Sequence, residues 1–310
     1  MKASNATPAQ DRRSFIKTTL AGAGALLAAP RLATAAESAP RTTAKSAADR
    51  VLLGKTGIRA SFLAQGTGFN GYRRSSDHTR LGQEQFTRLL RHSVDSGINF
   101  LDMADLYGSQ PFVRNALKGL SRDRFVMLTK IWPRKEDWVT PSANAQEEID
   151  RFRKELDTDV IDVCLIHCML NDQWATEYAG IRDGLSALKQ RGVVRALGVS
   201  CHDHGALKLA AKDPWVDLIF ARINNRGGKD YSCDDSADEI AKTLRSARAN
   251  GKAVVGMKIF GAGKLTKSEE KDASLKYVIG NDLVDAMTIG MLSTDQVDDT
   301  VRRINQTVKA

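Results

Sequence analysis

Two periods of apolar patterning take turns along this chain. Short runs rich in aliphatic and β-branched residues are separated by stretches where apolar residues recur at three- and four-residue spacing. The runs predict strands at Ser61–Gln65, Ile98–Asp102, Arg124–Lys130, Val160–His167, Val194–Ser200, Val216–Ile223, Ala253–Ile259 and Asp285–Ile289. Between and after them the spacing predicts helices at Leu81–Ser96, Ser109–Leu117, Ser142–Leu156, Glu177–Arg191, Asp203–Ala211, Asp235–Asn250 and Thr294–Val308. Phe86, Leu89, Leu90 and Val94 fall on one face of the first helix. Ser142 is the expected cap of the third, and Gly192 and Gly251 stop two others. A small hairpin with a Gly/Thr turn is expected at Val51–Ile58, ahead of the first barrel strand.

The strands are short and apolar, as parallel strands covered on both faces require. Eight strand–helix repeats of similar length predict an α/β fold closed into a (β/α)8 TIM barrel rather than a doubly wound sheet. No Gly-x-Gly-x-x-Gly turn follows the first strand; Gln65-Gly66-Thr67-Gly68 is not that fingerprint.

The first residues have another character. Asp11-Arg12-Arg13-Ser14-Phe15-Ile16-Lys17 precedes a mildly apolar Thr18–Ala29 stretch and a small-residue site at Ala33-Thr34-Ala35. This is similar to a twin-arginine (Tat) export signal cleaved near Ala35, with Asp11 where Ser or Thr is usual. At about 12 residues the apolar stretch is too short to span a bilayer, so no stable membrane insertion is expected. The expected organisation is a signal at 1–35, a flexible leader at 36–49 and the barrel at 50–310. Export through the Tat translocon to the periplasm, already folded, favours a cofactor loaded in the cytoplasm.

The whole chain of 310 residues carries a formal charge of +9. Removing the signal leaves about +5 on scattered residues, which gives no support for a nucleic-acid partner. Cys164, Cys168, Cys201 and Cys233 have no metal-site spacing. A Cys168–Cys201 bridge and free thiols both remain open, the latter favoured by folding before export. Cys201-His202-Asp203-His204 looks like a metal cluster, but adjacent ligands rarely converge on one ion. Asp203 suits a helix cap better, and no metal is expected.

Three successive strands end in ionisable groups. Asp102 closes the second, with Tyr107 just beyond; Lys130 closes the third and His167 the fourth. Alone, each has an ordinary reading: a cap, a packed loop aromatic, a solvated lysine, a core histidine. In a barrel, catalytic groups gather at the C-terminal strand ends. Carbonyl reduction needs a proton at oxygen while hydride reaches carbon. Lys130 near Tyr107 would lower the phenol pKa, Asp102 would hold Lys130, and His167 would orient the carbonyl.

With those residues in place the chain resembles the aldo-keto reductase family. The resemblance runs through Leu53-Gly54-Lys55-Thr56-Gly57, Gly66-Thr67-Gly68, Gly97 to Gly108, Thr129-Lys130, Asp162 to His167 and Gly198-Val199-Ser200. It implies Tyr107 as general acid, tuned by Lys130, with Asp102 and His167 in support. It also implies NADP or NAD, bound across the barrel mouth, and a small carbonyl or sugar substrate. Gly66, Thr67, Ser200, Lys258, Gly261, Gly263, Ser293 and Gln296 are the candidate cofactor contacts. The cofactor side departs from the family pattern. Cys201 follows Ser200 where Asn is common, and Phe220 stands where Gln is usual. Gly256-Met257-Lys258-Ile259 lacks the stacking aromatic, and Gly290–Gln296 lacks the basic grip on a 2′-phosphate. These departures keep a second reading open, a nucleotide-binding sensor or partner subunit with vestigial catalysis. A metal-dependent hydrolase would need carboxylate or His ligands at several strand ends, which Lys130 opposes. The chain stops soon after its last helix, so an open mouth suited to small polar carbonyls is expected.

Overall fold

The computed structural model describes residue 44 and residues 46–134 and 144–309. The candidate signal lies outside the described residues. A hairpin comes first, β1 (Arg50–Leu52) against β2 (Arg59–Ser61), antiparallel with Val51 opposite Ala60. The barrel strands follow: β3 (Leu63–Gly66), β4 (Phe100–Asp102), β5 (Val126–Ile131), β6 (Ile161–Met169), β7 (Val194–Cys201), β8 (Leu218–Arg222), β9 (Ala253–Met257) and β10 (Ala286–Ile289). They pair in chain order, all parallel, and β10 closes on β3. The helices are α1 (Asp77–Arg80), α2 (Gly82–Asp95), α3 (Gln110–Ala116), α4 (Ala145–Leu156), α5 (Trp174–Glu177), α6 (Ala179–Gln190), α7 (His204–Ala210), α8 (Ala237–Ala249), α9 (Ser268–Gly280) and α10 (Thr294–Thr307). This is the expected (β/α)8 barrel.

Several boundaries move for physical reasons. Ser61 ends the hairpin instead of opening the barrel. Its buried hydroxyl donates to Leu63 O and accepts from Asn99 N and Phe100 N, pinning the chain where it turns into the barrel. The leader is bound closer than expected: Ala47 is fully buried and its N–H donates to Asn305 Oδ1. The cap of α4 is Asn144, whose side chain accepts the Glu147 N–H; Ser142 lies outside the described residues. Asp203 caps α7 as expected, accepting from Ala206 N. α9 was not expected at all. Strand β6 runs two residues past His167, and its register against β7 shifts between Ile166 and Met169.

Every residue of β5 is buried, on both faces. Side chains alternate along a strand, so Val126, Leu128 and Lys130 share one face. The same apolar enclosure that makes the strand therefore carries an ammonium into the barrel. Burying apolar strand residues is worth about 1.5–3 kcal/mol each, and that provides the rigid frame on which such a group is held. Among the described residues, no helix is long and apolar enough to cross a membrane.

Candidate active site

Lys130 is 1% exposed, and its Nζ donates to Asp102 Oδ1 and, at 2.8 Å, to Met103 O. Asp102 is held on its other oxygen by Thr288 Oγ1 at 2.8 Å, a contact from β10. Removing one member of such a buried pair costs about 3–5 kcal/mol because the other charge stays unpaired. The Lys130 ammonium also lies between two aromatic rings, 5.0 Å from the centroids of Tyr107 and of Phe220. Phe220, on β8 and separated from β5 by two strands, thus acts as a cation–π wall across the barrel where a Gln is the family's usual residue.

Tyr107 ends a short 3₁₀ turn, Asp105–Tyr107, closed by Gly108 at φ 62°. A Cβ on Gly108 would collide with the Arg74 carbonyl. The turn is anchored by Asp105, which is fully buried, ion-paired with Arg151 of α4 and 3.7 Å from Arg74. Tyr107 is half-buried and faces the His167 ring edge-on at 5.6 Å. His167 in turn meets Trp132 at 5.5 Å and His202 at 6.4 Å. Asp102, Tyr107, Lys130 and His167 therefore converge.

Their electrostatics differ from the expectation in one respect. Burial, then the charges of Asp102 and Cys168, push the Tyr107 phenol well above its usual pKa. The Lys130 ammonium, bonded to Asp102 and Met103 O, does not reverse this push. Burial also lowers the pKa of Lys130, with Asp102 opposing. His167 and His202 are both pushed well below the usual histidine value by burial, then by surrounding cations. At neutral pH the phenol thus keeps its proton and both imidazoles are neutral. A neutral His167 has one N–H to donate and one lone pair to accept. Its Nδ1 is buried with no partner among the described residues.

These side chains stand at one end of a cavity of about 340 Å³, within the range of small-molecule sites. Gly66, Ser200, Lys258, Gly263 and Gln296 lie on its wall as expected. Thr67, Gly261 and Ser293 do not. Thr67 is buried, its hydroxyl engaged by Asp102 O and Ser109. Gly261 is a buried turn residue bonded to Lys258 O. Ser293 caps α10 by accepting from Gln296 N. Even on the wall, Ser200 is engaged: its Oγ accepts the Cys168 N–H at 2.7 Å.

The cavity also gathers residues outside the expected set: Phe69, His202, Phe260, Lys271, Thr288 and Asp299. His202 had a signal, the Cys-His-Asp-His run, whose His stands free once Asp203 caps the helix. Lys271 had none, since the spacing around it gave no helix. The four cysteines are free thiols, and among the described residues no three His, Cys, Asp or Glu side chains could hold a metal.

The aldo/keto reductase family matches residues 66–307 of this chain. A D-threo-aldose 1-dehydrogenase of a Pseudomonas species is 23% identical over 225 residues, 64% of this chain and 66% of that protein. Alignments with this and two further curated relatives span 46–66% of those proteins' lengths. Among solved structures, a candidate aldo-keto reductase from Pseudomonas aeruginosa matches with a TM-score of 0.68 at 22% identity, over 84% of this chain and 96% of that one. An aldo-keto reductase from Klebsiella pneumoniae in complex with NADPH matches with a TM-score of 0.62 at 17% identity, over 84% and 90%. At those identities the structural matches speak for the fold.

Proposed function

This chain belongs to the aldo/keto reductase family, and from that premise we propose that it is a nicotinamide-dependent oxidoreductase reducing a small aldehyde, ketone or keto-sugar, or running the reverse reaction. The observation that carries the proposal is the convergence of a protonated phenol, a neutral imidazole and a buried Lys–Asp pair at one end of a sizeable cavity. That set moves a proton to an oxygen while holding the carbonyl in place.

The rest of the lining has the chemistry to hold part of a dinucleotide. Its floor is bare backbone near Gly66 and Gly290: a Cβ on Gly66 would sit 3.2 Å from Gly290 N. Phe69 and Phe260 supply apolar walls, and Lys258 and Lys271 line it without an ion pair among the described residues. Gly66, Gly263, Gly290 and Gln296 would hold the nucleotide, with the two lysines facing its phosphates. NADP is favoured over NAD, with Lys271 supplying the basic contact that Gly290–Gln296 lacks. When bound, the cofactor delivers or accepts hydride at the carbonyl carbon.

The protein's own part follows from its geometry. His167 donates its N–H to the carbonyl oxygen and fixes the face presented. Tyr107 gives its hydroxyl proton to that oxygen as negative charge develops. The raised phenol pKa keeps the proton in place until then. The Lys130 ammonium, held by Asp102, packs on the Tyr107 ring 5.0 Å from its centroid and keeps the phenol in position. In the test, Tyr107→Phe is purified with nucleotide and assayed on reducible carbonyls. We expect kcat to fall by about 10²–10⁴-fold with nucleotide affinity kept; full activity would overturn the assignment of Tyr107. We also propose that residues 1–35 export the folded protein to the periplasm through the Tat translocon.

A further inference from the structure

The substrate end of the cavity has more positive than negative charge around it. Four cations surround His167 and His202: Lys130, Arg134, Arg222 and Lys258 all bear on one or both imidazoles. Two have partners. Lys130 is bound to Asp102, and Arg222 Nη2 pairs with Asp234 at 2.7 Å. Arg134 and Lys258 pair with no carboxylate among the described residues. A nucleotide phosphate can claim Lys258, which lies on the cavity wall. Arg134 would still have no carboxylate partner among the described residues.

Arg134 is held as a binding group would be. It follows β5, the strand that carries Lys130, and its guanidinium stacks on the Trp132 ring 3.9 Å from the centroid. One N–H donates to Cys168 O at 3.0 Å, on the residue next to His167. Cys168 is left-handed at φ 66°, so the backbone turns there beside His167. The stack and the contacts to Cys168 orient the planar group and leave donors without a partner among the described residues. A neighbouring buried donor, Trp132 Nε1, also has no partner among the described residues. A pre-oriented guanidinium with no carboxylate partner among the described residues, beside the free Trp132 N–H, matches an anion with several acceptor oxygens.

We propose that the reducible substrate is itself an anion, a carbonyl compound bearing a carboxylate or phosphate, and that Arg134 binds this group beside His167. The inference rests on the oxidoreductase reading and adds the class of substrate. Carboxylate and phosphate offer the same oxygen chemistry to the guanidinium, and matched substrates separate them.

The test compares kcat/KM for two pairs, butyraldehyde against succinate semialdehyde and glyceraldehyde against glyceraldehyde 3-phosphate. We expect the anionic member of at least one pair to be favoured by about tenfold or more, the scale of one charge-assisted hydrogen bond. Arg134→Met should erase that ratio, and Arg134→Lys should keep part of it. Equal rates within both pairs, or a loss in Arg134→Met that falls equally on both members, would overturn the subsite. Turnover of the neutral members alone leaves the oxidoreductase reading standing while the anion subsite falls. If no carbonyl is turned over, that reading fails first, and calorimetry decides the subsite. Succinate or glycerol 3-phosphate should then bind the wild-type protein and not Arg134→Met, with glycerol as the neutral control. No binding of either anion to the wild type would overturn it.

Discussion

Gly68 and Gly71 lie flat against the Tyr107 ring, where a Cβ on either would collide with ring carbons. Neither has a left-handed φ, so alanine is free of backbone strain there and only the collision remains. Gly68→Ala should therefore push the phenol off its position without unfolding the protein. An error of about 1 Å in a reacting group costs roughly 10²-fold in rate, so kcat should fall by about that factor with the melting temperature nearly unchanged. Steady-state kinetics beside a thermal melt checks this; wild-type kcat would show that Gly68 does not hold the ring. The chemistry-bearing residues were legible because each ends a strand-like run: Asp102, Lys130 and His167 are polar stops on apolar segments. The glycine clamp was not legible, since a loop glycine does not reveal what fills the space its missing Cβ leaves. Nor was the direction of the Tyr107 pKa. Sequence order says that Lys130 is near, whereas only geometry shows its charge spent on Asp102.

Among the elements, α9 is the clearest departure from the patterning. Its first half, Ser268–Asp272, is polar, and only Ser274, Leu275 and Val278 are buried. A helix that borders a cavity buries less than one packed flat on a barrel, so its apolar stripe is too thin to stand out. α9 matters for the cofactor because it brings Lys271 to the cavity wall, which Asp299 and Gln296 of α10 also line. The Asp299 carboxylate is engaged by Arg302 and by Arg303, the latter at 2.8 Å, so it offsets Lys271 little. Lys271 is the cation suited to a 2′-phosphate on that side. Lys271→Ala should weaken NADPH by about tenfold, as loss of one charge-assisted contact does, while NADH binding changes little. Nucleotide titrations followed by fluorescence measure both; equal weakening of the two would place Lys271 away from the 2′-phosphate.

At the scale of the whole molecule, barrel closure was legible from repeat number alone. Eight strands, apolar on both faces and each offset by a helix, leave no exposed edge when β10 meets β3. A closed, single-core body of this kind is also what a folded-state exporter must carry, and the twin-arginine segment belongs to that argument. The signal reading rests on Arg12-Arg13 and the apolar stretch after them, outside the described residues. An exported nucleotide enzyme meets little free nucleotide outside the cytoplasm, so it has to leave with its cofactor bound. Changing Arg12 and Arg13 together to lysine should hold the protein in the cytoplasm and leave its fold and nucleotide content intact, because both residues precede the barrel. Fractionating periplasm from spheroplasts in a Tat-competent bacterium, with absorbance of the purified pools, reads both quantities. The wild-type protein should be periplasmic and carry bound nicotinamide nucleotide, and the double-lysine variant should be cytoplasmic and equally loaded. An unchanged distribution between the two would remove the export proposal, and a periplasmic pool empty of nucleotide would remove cytoplasmic loading while leaving the barrel chemistry as it stands.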